Sequence, residues 1–227
     1  KVILYENELN DINLNGDKWL IKSTPKTLLD KDIVDTELLE DGLKEFKKIK
    51  DEYKKLRNNN VFIKPALLIQ VDNETEQNSN TFNEDMAHIK NTLNKFNLTW
   101  VKYFGNNDKE SNHVGYQDFS LIDITKTDSD IDVIIFKVGP ATGWDIPRAC
   151  MLLQLRNVSS TTLNTQRIGR IKRNPYPELS KNKITDKYYI YSNAPVERNL
   201  NVYKYKVKDR FANDEFAIIK ISNEKIG

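Results

Sequence analysis

DVIIFKVGPATGWDIPRACMLLQL, residues 132–155, sets two patterns side by side. Asp132-Val-Ile-Ile-Phe136 and Met151-Leu-Leu-Gln-Leu155 are short continuous apolar runs, which suit strands covered on both faces. The segment between them, Lys137 to Ala149, is built differently. Gly139 and Gly143 let the backbone approach a ligand, while Pro140 and Pro147 stiffen the loop. Thr142 offers a hydroxyl, Asp145 an acceptor for a hydroxyl or an arginine, and Arg148 a charge for phosphate or carboxylate. By residue type alone, this loop fits a structural turn at least as well as a ligand site.

Working upstream, Pro65-Ala-Leu-Leu-Ile-Gln-Val71 is a further apolar run, closed by Asp72-Asn73. Phe82, Met86, Ile89, Leu93 and Phe96 then recur at helical spacing, and a strand is predicted near Thr99 to Phe104. Leu39, Leu43, Phe46, Ile49, Tyr53 and Leu56 predict an earlier helix from about Thr36 to Arg57, with Thr36 as its N-cap. Leu39 three places on rules out a capping box. Downstream, residues 160–172 read as a helix and Tyr188-Tyr-Ile-Tyr191 as a strand.

This alternation predicts an α/β fold with a mainly parallel sheet flanked by helices. In such sheets, ligand sites form in loops at the carboxyl ends of strands, which singles out the loops after Val71 and Val138. Residues 1–35 read as a connector or small β extension from a preceding lobe. Val2 to Tyr5 and Trp19 to Ile21 are its candidate strands, with a turn at Asn15-Gly16-Asp17. The main lobe spans 36–200. Residues 201–227 hold β-prone runs, Val202 to Val207 and Phe216 to Ile221, that suit an appended hairpin.

Composition narrows the class. The chain has 227 residues, enough for one sizeable core. Lys and Arg (35) nearly balance Asp and Glu (33), so net charge alone does not mark a nucleic-acid binder. The distribution is less even: Asn164 to Arg210 holds twelve Lys/Arg against four Asp/Glu, a surface that is either simply solvated or turned to phosphates. The single cysteine, Cys150, excludes a disulfide framework within the chain and suits a reducing cytosol. Two distant histidines, His88 and His113, assemble no zinc pattern. No apolar run reaches membrane-spanning length, and there is no signal-peptide pattern, so a cytoplasmic protein without membrane contact is expected. Lys1 in place of a starting methionine reads as a piece of a longer protein.

A second chemistry-bearing segment is Gln166-Arg-Ile-Gly-Arg-Ile-Lys-Arg173. On a helix, Arg170 and Arg173 share a face, and Gln166 lies one turn before Arg170. Gly169 leaves room for a partner to approach. Leu163, Ile168 and Ile171 would anchor the helix and hold the arginines. Two guanidiniums on one edge suit a polyphosphate, although a solvated basic helix has the same residue pattern.

GWDIPRA, followed by LLQLRNVSSTTLNTQRIGRIKRNP, resembles motifs V and VI of superfamily-two helicases and translocases. The wording looks most like the helicase subunit of type III restriction enzymes. PALLIQVDN resembles the motif IV strand and loop of the same group, and order and spacing agree over roughly residues 62 to 195. The resemblance implies a RecA-like second motor lobe. Arg170 and Arg173 would be arginine fingers for the γ-phosphate. Gln166, Gly143 and Gly169 would belong to the nucleotide site, where Asp145 would contact the ribose or brace the fingers. Gln70, Asp72, Asn73, Thr142 and Arg148 would face DNA, and Trp144 would pack in the core or line the cleft.

The resemblance also implies ATP with Mg2+ in the full-length protein, and DNA, a first RecA-like lobe and a DNA methyltransferase subunit as partners. A G-x-x-x-x-G-K-[ST] phosphate loop is missing from the sequence, so the first lobe would supply it, and this chain alone is expected to be inactive. No metal site is expected. A helicase or repair translocase outside restriction, and a non-catalytic DNA-binding module, remain open alternatives.

Overall fold

The computed structural model describes residues 24–28, 35–56, 61–116, 118–137, 145–155, 169–176 and 182–192. Seven strands form one sheet: β1 (Thr24–Leu28), β2 (Ala66–Gln70), β3 (Trp100–Gly105), β4 (Asp108–Ser111), β5 (Val133–Phe136), β6 (Ala149–Gln154) and β7 (Lys187–Ser192). Their order is β1-β7-β6-β2-β5-β3-β4, and every pairing is parallel except β3 with β4. Among the described residues, the longer α-helical runs are α1 (Asp35–Lys54), α2 (Ser79–Lys95) and the short α3 (Leu121–Thr125), with a 3-10 turn at Val114–Tyr116. The mainly parallel α/β fold expected from the sequence is the fold observed.

The continuous apolar runs have the expected cause. Every residue of β2, β5 and β6 is buried, because both faces of the sheet are covered. On the first face, Leu67, Ile69, Val133 and Leu153 pack under α1 and α2, which contribute Leu39, Phe46, Phe82 and Ile89 among others. On the second face, Leu68, Ile134, Leu152 and Ile190 pack with Phe119, Ile124, Ile146 and Ile171. Right-handed crossovers dictate this division. The connections from β1 to β2 and from β2 to β3 move the same way along the sheet, and their helices share the first face. Those from β3 to β5, β5 to β6 and β6 to β7 move back, and their anchors Ile124, Ile146 and Ile171 share the second.

The direction of winding therefore reverses between the adjacent strands β2 and β6. That is the topological switch point at which open α/β sheets place ligands, outside the carboxyl ends of the strands.

Local chemistry sets the boundaries. Asn97 ends α2 in the left-handed region (φ 53), with Leu98 N–H donating to Leu93 O at 3.1 Å and Asn97 N–H to Asn94 O at 2.9 Å. This is a Schellman stop, with Asn in the usual place of Gly and its Leu98–Leu93 pair in the core. The unpredicted helix α3 begins at a capping box. Ser120 Oγ accepts from Asp123 N–H, and Ser120 N–H donates to Asp123 Oδ2 at 2.9 Å.

Several expectations need adjustment. Thr24–Leu28, inside the stretch read as a connector, is a strand of the main sheet, paired with β7 and outermost among the described strands. Thr36 is not an N-cap, because α1 is already helical at Asp35. The β3–β4 hairpin was not anticipated; β4 reads Asp-Lys-Glu-Ser, a charged edge of low β-propensity. Of the helix expected over 160–172, only its end is described, and Gly169–Ile171 are helical. The candidate strands at 2–5 and 19–21 and the hairpin at 201–227 lie outside the described residues.

Candidate nucleotide site

Ile146 and Ile171 sit in the same core cluster on the second face, both fully buried. Each has a charged neighbour in sequence: Asp145 before the first, Arg170 before the second and Arg173 two places after it. Seating the two isoleucines in one core brings their charged neighbours to the same region. Arg173 Nη1 pairs with Asp145 Oδ1, and both side chains stay open to solvent, 46% and 65% exposed. Arg170 is half-buried. Desolvation lowers its basicity first and the like charge of Arg173 next, while Asp145 works in the opposite direction. Two guanidiniums beside one carboxylate leave an excess of positive charge there.

Arg173 lies just past the last helical residue rather than on the helix, so its pairing with Asp145 is set by the chain leaving the helix. Gly169 is exposed, and a Cβ added there would meet nothing within 4 Å. Gln166, Gly143, Thr142 and Trp144 lie outside the described residues.

Two residues expected to face DNA do not. Arg148 is fully buried. Its Nε and Nη2 donate to Ile124 O at 3.0 and 2.8 Å, Nη2 also to Ile131 O at 2.8 Å, and Nη1 to Lys64 O at 3.0 Å. Burial pushes its pKa down to about 10, with Asp132 the largest opposing influence. The reason is topological. β6 runs parallel to β2 and β5, so the residue before β6 must return to the edge where those strands begin, opposite the carboxyl rim. There Arg148 ties together the backbone leading into β2 and β5 and the end of α3.

Gln70 is the second correction. It is fully buried on the second face and accepts from Gln154 Nε2 at 3.0 Å across β2 and β6, at the switch point. Gln154 was missed. The available signal was a glutamine closing each of two apolar runs, LLIQ and MLLQ, which a parallel register brings side by side. Asp72 and Asn73 are exposed at the carboxyl rim, in the loop after β2. Among the described residues, no group of three His, Cys, Asp or Glu side chains could hold a metal ion.

No family model and no curated protein matches the chain. Among solved structures it is similar to the C-terminal part of the Fun30 ATPase domain, at 14% identity and a TM-score of 0.36, covering 62% of this chain and 38% of that one. It is also similar to the RNA helicase Prp28 from Chaetomium thermophilum bound to ADP, at 14% identity and a TM-score of 0.38, covering 75% of this chain and 33% of that one. The chain thus spans only 38% and 33% of the lengths of these two structures.

Proposed function

We propose that this chain is the second, RecA-like motor lobe of an ATP-dependent nucleic-acid translocase. The reading is carried by Asp145, Arg170 and Arg173, gathered at the surface of the layer that covers the second face of a doubly wound parallel sheet. ATP with Mg2+ would be held by a first lobe of the same polypeptide. Closure would bring the γ-phosphate to Arg170 and Arg173, and the phosphate would replace the Asp145 carboxylate as the partner of Arg173. Asp145 would then accept a hydrogen bond from the ribose or steady Arg170. Guanidiniums used in this way contribute roughly 10³–10⁵ in rate. Hydrolysis would loosen the clamp, and the rim loop holding Asp72 and Asn73 would shift with the opening, with DNA as the tracked strand.

The finer reading is the helicase subunit of a type III restriction enzyme, acting in the cytoplasm with a methyltransferase subunit. It is supported by the wording of GWDIPRA and QRIGRIKR. The test is DNA-stimulated ATPase in the polypeptide that includes the first lobe. Arg170→Ala and Arg173→Ala should each abolish stimulation while oligonucleotide binding persists. Undiminished ATPase in both variants would sink the finger assignment. DNA binding without any ATPase in the parent protein would leave a non-catalytic binding module.

A further inference from the structure

Lys137 is the first residue after β5. Its ammonium lies 4.5 Å from the centre of the Phe82 ring in α2 and 4.4 Å from that of Phe104 in β3. Its Nζ is 3.4 Å from Glu74 Oε2, in the loop after β2, and the lysine side chain is only 16% exposed. Glu74 is steadied in turn by Ser79 Oγ, which donates to Oε1 at 3.1 Å. Asn78 shapes the same loop, accepting from Thr75 N–H at 2.6 Å and donating to Asn73 O at 3.0 Å. Lys102 also approaches the Phe104 ring, at 5.2 Å, but has its own carboxylates in Asp108 and Glu110. One ammonium therefore touches the loop after β2, the start of α2, the end of β3 and the end of β5.

An exposed rim ion pair contributes almost nothing. A cation drawn out of water between two ring faces is held far more firmly. We propose that Lys137 is a positioning residue that latches the loop of residues 72–78 to the exit of β5. The loop after β2 is then held to the carboxyl end of β5. The link to nucleic acid rests on the motor-lobe reading; the latch itself does not.

The experiment uses the whole chain and four variants. Lys137→Met keeps the stem and removes the charge, Lys137→Arg keeps a cation suited to ring faces, and Glu74→Gln keeps the shape of the carboxylate. Glu76→Gln, in the same loop, sets the baseline for removing a nearby negative charge. Amide hydrogen exchange over residues 72–78 should rise on the order of tenfold in Lys137→Met. It should also rise in Glu74→Gln, rise far less in Lys137→Arg, and rise no further in the Lys137→Met/Glu74→Gln double variant. Unchanged exchange in Lys137→Met overturns the latch.

With a single-stranded oligonucleotide as probe, Lys137→Met and Glu74→Gln should both weaken binding relative to Glu76→Gln. If Glu74→Gln instead tightens binding beyond Glu76→Gln while Lys137→Met weakens it, Lys137 is a direct phosphate ligand and the latch is overturned. A parent chain with no affinity for the oligonucleotide removes the motor-lobe reading alone, because the exchange measurement still decides the latch.

Discussion

Arg148 and Arg173 carry the same guanidinium, and the chain places them on the same face of one sheet, yet they live under opposite conditions. Arg148 is fully buried and divides its donors among three backbone carbonyls at the edge where strands begin. Arg173 is nearly half exposed and holds a carboxylate that is itself exposed. A buried guanidinium bonded to carbonyls fixes backbone and cannot turn to a ligand without undoing the fold. An exposed one resting on a carboxylate can exchange that partner for a phosphate at little cost. Residue type states what an arginine can do; its surroundings decide which of those things it does.

The largest effect expected from this contrast is on catalysis. In a polypeptide carrying both lobes, Arg173→Ala should lower DNA-stimulated ATPase by about 10³ or more. Its effect on the chain's stability should be within about 0.5 kcal/mol, because the pair it breaks is exposed. Arg148→Ala should behave the other way, costing about 3–5 kcal/mol in denaturant unfolding, since it strands buried carbonyls and leaves a cavity. Arg148→Lys should recover only part of that loss, because an ammonium cannot reproduce the fork that reaches three acceptors. If Arg148→Ala unfolds at the parent's denaturant midpoint, the contrast between the two arginines is gone.

A smaller effect is expected at the switch point. Gln154→Leu removes the donor to Gln70 and should cost about 1–3 kcal/mol, and replacing both glutamines by leucine should recover much of it. The smallest concerns Asp123, whose carboxyl is held at about 2, below its ordinary 3.8, first by the Ser120 backbone N–H and next by the Ser120 side chain. A carboxyl lowered in the fold stabilises it above the ordinary value, and that support is lost as pH falls through the folded one. Protection of the α3 amides, taken relative to their intrinsic exchange rate, should therefore fall between pH 4 and pH 2. Ser120→Ala should narrow that window by removing one of the two bonds.

Much of the scaffold was legible because burial on both faces leaves a plain signature. LLIQ, VIIF and MLLQ each became a buried parallel strand, and the stripes from Leu39 and from Phe82 became α1 and α2. β1 and β4 escaped notice because edge strands need no apolar run; Thr24–Leu28 reads Thr-Pro-Lys-Thr-Leu and β4 is all polar. At the site, Ile171 anchored the arginine segment as its spacing implied. Arg148 and Gln70 were misplaced because polar side chains in a glycine loop and at a strand end were assumed to face outward.

The sequence by itself determined the layers, because hydrophobic periodicity is a local property and the faces it creates must be covered. It also offered Arg148, Arg170 and Arg173 as cations of a kind that can meet a phosphate. Only the tertiary structure decided their use. Strand order is a matter of contacts between residues far apart in the chain. That order sent Arg148 back to the amino edge, aligned Gln70 with Gln154, and brought Ile146 against the same core as Ile171, so that Asp145 meets Arg173.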